Sequence, residues 1–150
     1  MDINEETVRS VHTSYGEQLN ELYHGLNGWW WESYGNGGGY WHNQPHPGKR
    51  KRGDECDCKN ARLLPRLHTD ANLAIAEAKR VFTYDFEIHF DVVKEMCLFT
   101  GQIKRNSPGV DRFNGDGDGE HDVCEAILEA LIAARRRPSE RRTKRNRRLS

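Results

Sequence analysis

From Tyr84 to Val92 the chain alternates apolar and polar residues without a break. A strand points successive side chains to opposite faces, so Tyr84, Phe86, Ile88, Phe90 and Val92 share one face and Asp85, Glu87, His89 and Asp91 the other. The spacing predicts a half-buried strand over 82–92 whose apolar side needs a cover. Lys94-Glu95 then reads as a hairpin turn, and Met96 to Ile103 as the return strand.

Helical periods flank this hairpin. Ala71, Ala74, Ile75, Ala78 and Val81 predict a helix over 69–80, with Thr69 or Asp70 as its N-cap. Val123, Cys124, Ile127, Leu128 and Leu131 predict another over 121–134. Near the start, Val8, Val11, Tyr15, Leu19 and Leu22 predict an amphipathic helix over 4–23, broken by the Gly/Asn-rich 24–28. Trp29-Trp30-Trp31 and Tyr40-Trp41 bracket a glycine-rich centre, the pattern of a hairpin. Residues 42–62 carry no period and read as an exposed connection, and 104–120 as a glycine-rich acidic loop. The fold class is therefore α+β, with helices packed on a small antiparallel sheet in one domain over 1–134.

Charge changes the picture at the C-terminus. Residues 135–150 hold nine Lys or Arg against one Glu, a surplus of +8, so with a net charge of zero the remaining 134 residues carry −8. Such a run has nothing apolar to bury and predicts a disordered cationic tail. Arg135, Arg136, Arg137, Arg141, Arg142, Lys144, Arg145, Arg147 and Arg148 are its candidate contacts to nucleic acid or an acidic partner, because dense cations bind phosphates by releasing counterions. A purely solubilising arm is the plain alternative.

The apolar runs fall far short of the roughly 20 residues a membrane helix needs, which predicts no membrane partner. The acidic opening, Met1 to Glu6, lacks the basic start and apolar core of a secretory signal and points to the cytoplasm. Cys97 and Cys124 read as small buried hydrophobes.

The order of elements resembles the phage ABA sandwich domain, a phage-encoded family. The matching residues are Gly28-Trp29-Trp30-Trp31 with Trp41, Pro65 with Thr69-Asp70, the two strands, and Ala126-Ile127 with Ala130-Leu131, over about 15–134. His68-Thr69 stands where members usually have serine, the 42–62 loop is longer and more basic than the family pattern, and the Arg-rich tail is additional. The resemblance implies a viral source, hence the host cytoplasm, and a layered α/β/α fold. It implies no reaction. A small non-enzymatic accessory protein that binds a host or viral partner is the expectation.

Two metal sites and one catalytic set are also suggested by spacing. Asn114 to Glu125 matches the calcium-loop pattern D-x-[DN]-x-[DN]-G-x5-E at positions three, five, six, nine and twelve, with Asn in place of the first Asp. Asn114, Asp116, Asp118, Glu120, Asp122 and Glu125 would supply the oxygens a hard cation requires, giving a cation-binding protein or cation-dependent enzyme as the alternative function. Against this, position eight is His121, and the preceding element is a strand where a calcium hand has a helix. The plainer reading is a polar turn capping the next helix. His42, His46, Cys56 and Cys58 form a candidate zinc set, although Cys-x-Cys spacing is unusual for zinc. Asp85, Glu87, His89 and Asp91 resemble the carboxylate and histidine set of a metal-dependent hydrolase, but alternation alone also produces them. The tryptophans at 29–31 and 41 either fill a core or offer a stacking surface.

Overall fold

The computed structural model describes residues 14–33, 39–43, 61–106 and 108–149, with the side chains of 61–62 and of 137–149 excepted. Three helices and two small antiparallel sheets give an α+β fold. Helix α1 spans Tyr15–Leu26, α2 Ala71–Val81 and α3 Asp122–Leu149. The first sheet has the order β1 (Trp30–Ser33), β2 (Gly39–His42), β3 (Ala61–Arg62), and the second β4 (Asp85–Asp91), β5 (Met96–Lys104), β6 (Val110–Gly117).

Local chemistry fixes the helix starts. Ser14 Oγ accepts the Glu17 N–H at 3.2 Å, and Asp70 Oδ1 accepts the Leu73 N–H at 3.2 Å, so each satisfies a donor that the first turn leaves open. Helix α1 therefore begins at Tyr15, and the part of the expected helix that falls on residues 4–13 lies outside the described residues. Its C-terminal end gives way at Asn27 and Gly28, the latter at φ +94, as the Gly/Asn run predicts.

The tryptophan hairpin is present. Trp30 pairs with His42 and Trp31 with Trp41, and β3 adds to β2 through Trp41 and His42.

In the second sheet the expected hairpin holds, with a turn at 92–95 and the register Ile88 to Phe99. Asp91 Oδ1 accepts the N–H groups of Val93 and Lys94, both at 3.1 Å, which lets Glu95 sit at φ +53. A third strand lies within what reads as an acidic loop: β6 pairs antiparallel with β5 from Cys97 opposite Gly117 to Lys104 opposite Val110.

One face of this sheet, through Cys97, Phe99 and Phe113, builds the core with α3, and α1 and α2 pack on α3. Leu19, Leu22, Ala74, Ala78, Ile127, Leu128 and Leu131 are fully buried there. None of the four tryptophans belongs to this cluster. The Phe82 ring, just past α2, lies on Gly101, where a β-carbon would overlap it.

The cover over β4 is partial. Helix α3 packs on β5 and β6, and β4 is the far edge, so Phe86 and Ile88 are half-buried while Phe90 and Tyr84 stay exposed at 53% and 58%. On the opposite face Asp85, Glu87, His89, Leu98, Asn114 and Asp116 are exposed. The backbone of α3 continues helically to Leu149, through the stretch whose composition suggests a disordered tail. No described helix is long and apolar enough to cross a membrane.

Candidate functional site

Helix α3 carries its charges in order. Asp122, Glu125 and Glu129 occupy its first turns, the last buried core residue among those described is Ala134, and from Arg135 onward every charged residue but Glu140 is basic. Acids near a helix N-terminus and cations near its C-terminus both complement the helix dipole, so one element holds both extremes at little cost.

At the acidic end, Glu129 joins three elements. Its Oε2 accepts the Tyr15 hydroxyl at 2.8 Å, and its Oε1 accepts the Asp116 N–H at 3.0 Å. That N–H lies on the free edge of β6, so the carboxylate closes an edge that would otherwise offer an open donor. Burial pushes the Glu129 carboxyl above the usual range, as it does Glu125, where Asp118 adds to the effect. Burial and the Glu129 hydrogen bond likewise raise the Tyr15 phenol. Gly16 brings α1 close here: a β-carbon on it would lie 3.3 Å from Glu125 Oε1 and 3.4 Å from His68 Cβ.

His68, 6% exposed, has an Nδ1 without a hydrogen-bond partner. Burial and the neighbouring Arg66 depress its pKa. His24 is also buried and held below the ordinary imidazole range by desolvation, with its Nε2 donating to the Pro65 carbonyl at 2.9 Å. Asn20 completes that anchor, donating to the Pro65 carbonyl and accepting the Leu67 N–H, both at 3.0 Å.

The suggested calcium loop is not a single loop. Asn114 and Asp116 lie on β6, with the Asn114 side chain accepting the Thr100 hydroxyl at 3.0 Å, while Asp122 and Glu125 belong to α3. A calcium loop wraps its ligands around the ion, which an extended strand cannot do. Gly115 and Gly117, which read as turn glycines, instead let β6 meet α3: β-carbons there would overlap the Ala126 and Asp122 carbonyls. The signal for this was a period-two glycine pair, of which Gly115 faces Ala126 and Ala130, two small residues four apart on a helix.

Of the proposed zinc set, His42 is fully buried, stacked on Trp30 at 4.5 Å and bonded through Nε2 to Glu32 Oε2 at 3.0 Å. His46, Cys56 and Cys58 lie outside the described residues. Cys97 and Cys124 are free and buried, and burial pushes both thiols up.

The candidate hydrolase set lies on the open face of β4. Its cross-strand neighbours on β5 are Gln102, Thr100, Leu98 and Met96, which bring no second carboxylate to it. Asp85 and Asp91 are occupied in bonding the backbone N–H groups of Phe86, Val93 and Lys94. Among the described residues no three His, Cys, Asp or Glu side chains form a group able to hold a metal.

At the basic end, Arg135 Nε donates to the Leu26 carbonyl at 3.3 Å, tying the end of α1 to α3, and Arg136 follows. The side chains of Arg137, Arg141, Arg142, Lys144, Arg145, Arg147 and Arg148 lie outside the described residues. Compared with known proteins, the chain matches no model of a protein family, and no curated protein or solved structure shows significant similarity to it.

Proposed function

We propose that this protein is a non-enzymatic binding module whose basic C-terminal segment engages nucleic acid without sequence preference. In this reading the acidic body serves as a platform, and the role is that of a small phage accessory protein acting on a host or viral partner. The observation that carries it is the charge segregation: +8 over 135–150 against −8 over the rest. Fifteen residues of α3 backbone follow Ala134, the last core residue among those described. A helix rises about 1.5 Å per residue, giving the cations a span of roughly 20 Å, comparable to several phosphate repeats of a duplex.

Binding of labelled duplex and single-stranded oligonucleotides, followed by fluorescence anisotropy between about 50 and about 200 mM salt, tests the proposal. The full chain is expected to bind at low salt and to weaken steeply as salt rises, with a log–log slope of several, while a chain ending at Ala134 does not bind. Absence of binding by the full chain at low salt removes the nucleic-acid reading.

A further inference from the structure

Among the described residues β4 is an edge strand of its sheet, and its sequence is nearly palindromic. Around Ile88, Glu87 mirrors His89, Phe86 mirrors Phe90, and Asp85 mirrors Asp91. A strand paired antiparallel with its own copy about a two-fold axis through Ile88 sets each residue opposite its mirror.

The backbone is turned the right way for this. The Asp116 N–H donates to Glu129, away from β5, so Leu98 opposite it is in a non-hydrogen-bonded pair on that side. Alternation then turns the backbone groups of Leu98 toward β4, where Leu98 meets His89. Asp85, Glu87, His89 and Asp91 therefore bond to β5, leaving Phe86, Ile88 and Phe90 with outward-facing N–H and C=O groups. The Phe86 N–H is met at 2.9 Å by Asp85 Oδ1, a bond that gives way when this N–H reaches a second strand.

We infer that β4 pairs with β4 of a second copy of this chain, centred on Ile88, joining the two β4–β6 sheets into one six-stranded antiparallel sheet. The register places Phe86 against Phe90 twice on the core side, covering a phenylalanine that is 53% exposed in the single chain. On the open side it sets Glu87 against His89 twice, in the closely spaced type of pair where side chains meet best. The competing two-fold centre at Glu87 would set that carboxylate against itself, and the one at His89 would set Glu87 against Asp91. Over its seven residues β4 contains no proline, no glycine and no lysine, and its charges are the three carboxylates and His89. The mirrored Asp85 and Asp91 fall at the ends of the overlap, where the Asp91 carboxylate accepts the N–H groups of Val93 and Lys94.

Sedimentation equilibrium of the full chain tests this through paired charge variants. The unaltered protein is expected to reach twice its 17.4 kDa mass as concentration rises. Glu87→Lys sets lysine against His89, and His89→Glu sets two glutamates together, so each variant alone should dimerise roughly tenfold more weakly. Mixing the two variants should restore association, because the introduced lysine of one chain then faces the introduced glutamate of the other, and the retained His89 faces the retained Glu87. Both sites are exposed, so far-UV circular dichroism and melting temperature should stay unchanged. A chain that remains monomeric at every concentration overturns the inference, as does a dimer that either single variant leaves intact or that mixing fails to rescue.

Discussion

Asn20 holds the connection before α2 in place, and its environment sets the cost of losing it. It is buried and makes two hydrogen bonds, to the Pro65 carbonyl and from the Leu67 N–H. Asn20→Ala strands that N–H away from water, and urea denaturation should report a loss of about 2–3 kcal/mol, because an unmet buried group costs its full desolvation penalty. Glu95 presents the opposite case. At φ +53 it adopts a backbone that L side chains resist, so Glu95→Gly should stabilise the protein by up to about 1 kcal/mol, the relief of strain being partly offset by glycine's greater freedom when unfolded. The two buried histidines predict a pH effect. His24 and His68 are depressed by burial, so the unfolded chain takes up protons first as pH falls below about 6.5, and their contribution to stability is complete above that value and lost below it. Glu125 and Glu129 are raised and act in the contrary sense, costing stability at neutral pH that returns as they protonate. The net curve mixes both, so the useful quantity is a difference. His24→Gln with His68→Gln should gain on the unaltered chain between pH 7 and about pH 5 by at most about 1.4 kcal/mol per pH unit per histidine, and a constant gap between the two melting curves would refute this.

At the element scale, β6 and α3 approach each other through backbone rather than side chains. Gly115→Ala would drive a β-carbon into the Ala126 carbonyl, which cannot swing aside as a side chain can, so a loss of about 3 kcal/mol or more is expected in chemical denaturation. The same contact explains what was legible in the sequence. Helices α1, α2 and α3 and the hairpin β4–β5 announce themselves because apolar residues recur along them at 3.6 or 2 residues. Strand β6 does not, because its inward positions are Asp111, Phe113, Gly115 and Gly117, and only one of these is a large hydrophobe. Glycines chosen for close approach resemble glycines chosen for a turn, and with interleaved acids they imitate a calcium loop. The tie between Tyr15, Glu129 and Asp116 was likewise illegible, since residues 114 apart are joined only by the way α1 comes to lie beside α3.

For the molecule as a whole, core and charge are divided along α3. Ala134 is the last buried residue among those described and the basic run starts at Arg135, so a chain ending after Ala134 should keep its cooperative unfolding while losing affinity for polyanions. A truncated chain that fails to fold would mean that the Arg135 bond to the Leu26 carbonyl, and the turn beyond it, contribute more than their exposure suggests. The charge division was readable from composition alone, whereas the helical continuation of the backbone was not, because a run so rich in arginine has no apolar stripe to mark it. The aromatic hairpin has a practical consequence at this scale. All four indoles sit in or beside the first sheet, and the main core is lit only by phenylalanine and tyrosine. Intrinsic fluorescence excited at the red edge will thus watch the melting of that small sheet, while ellipticity in the far ultraviolet watches the helices. Superimposable traces would mean that the two parts come undone together, and an earlier optical loss in the indoles would mark the hairpin as a separate thermodynamic unit.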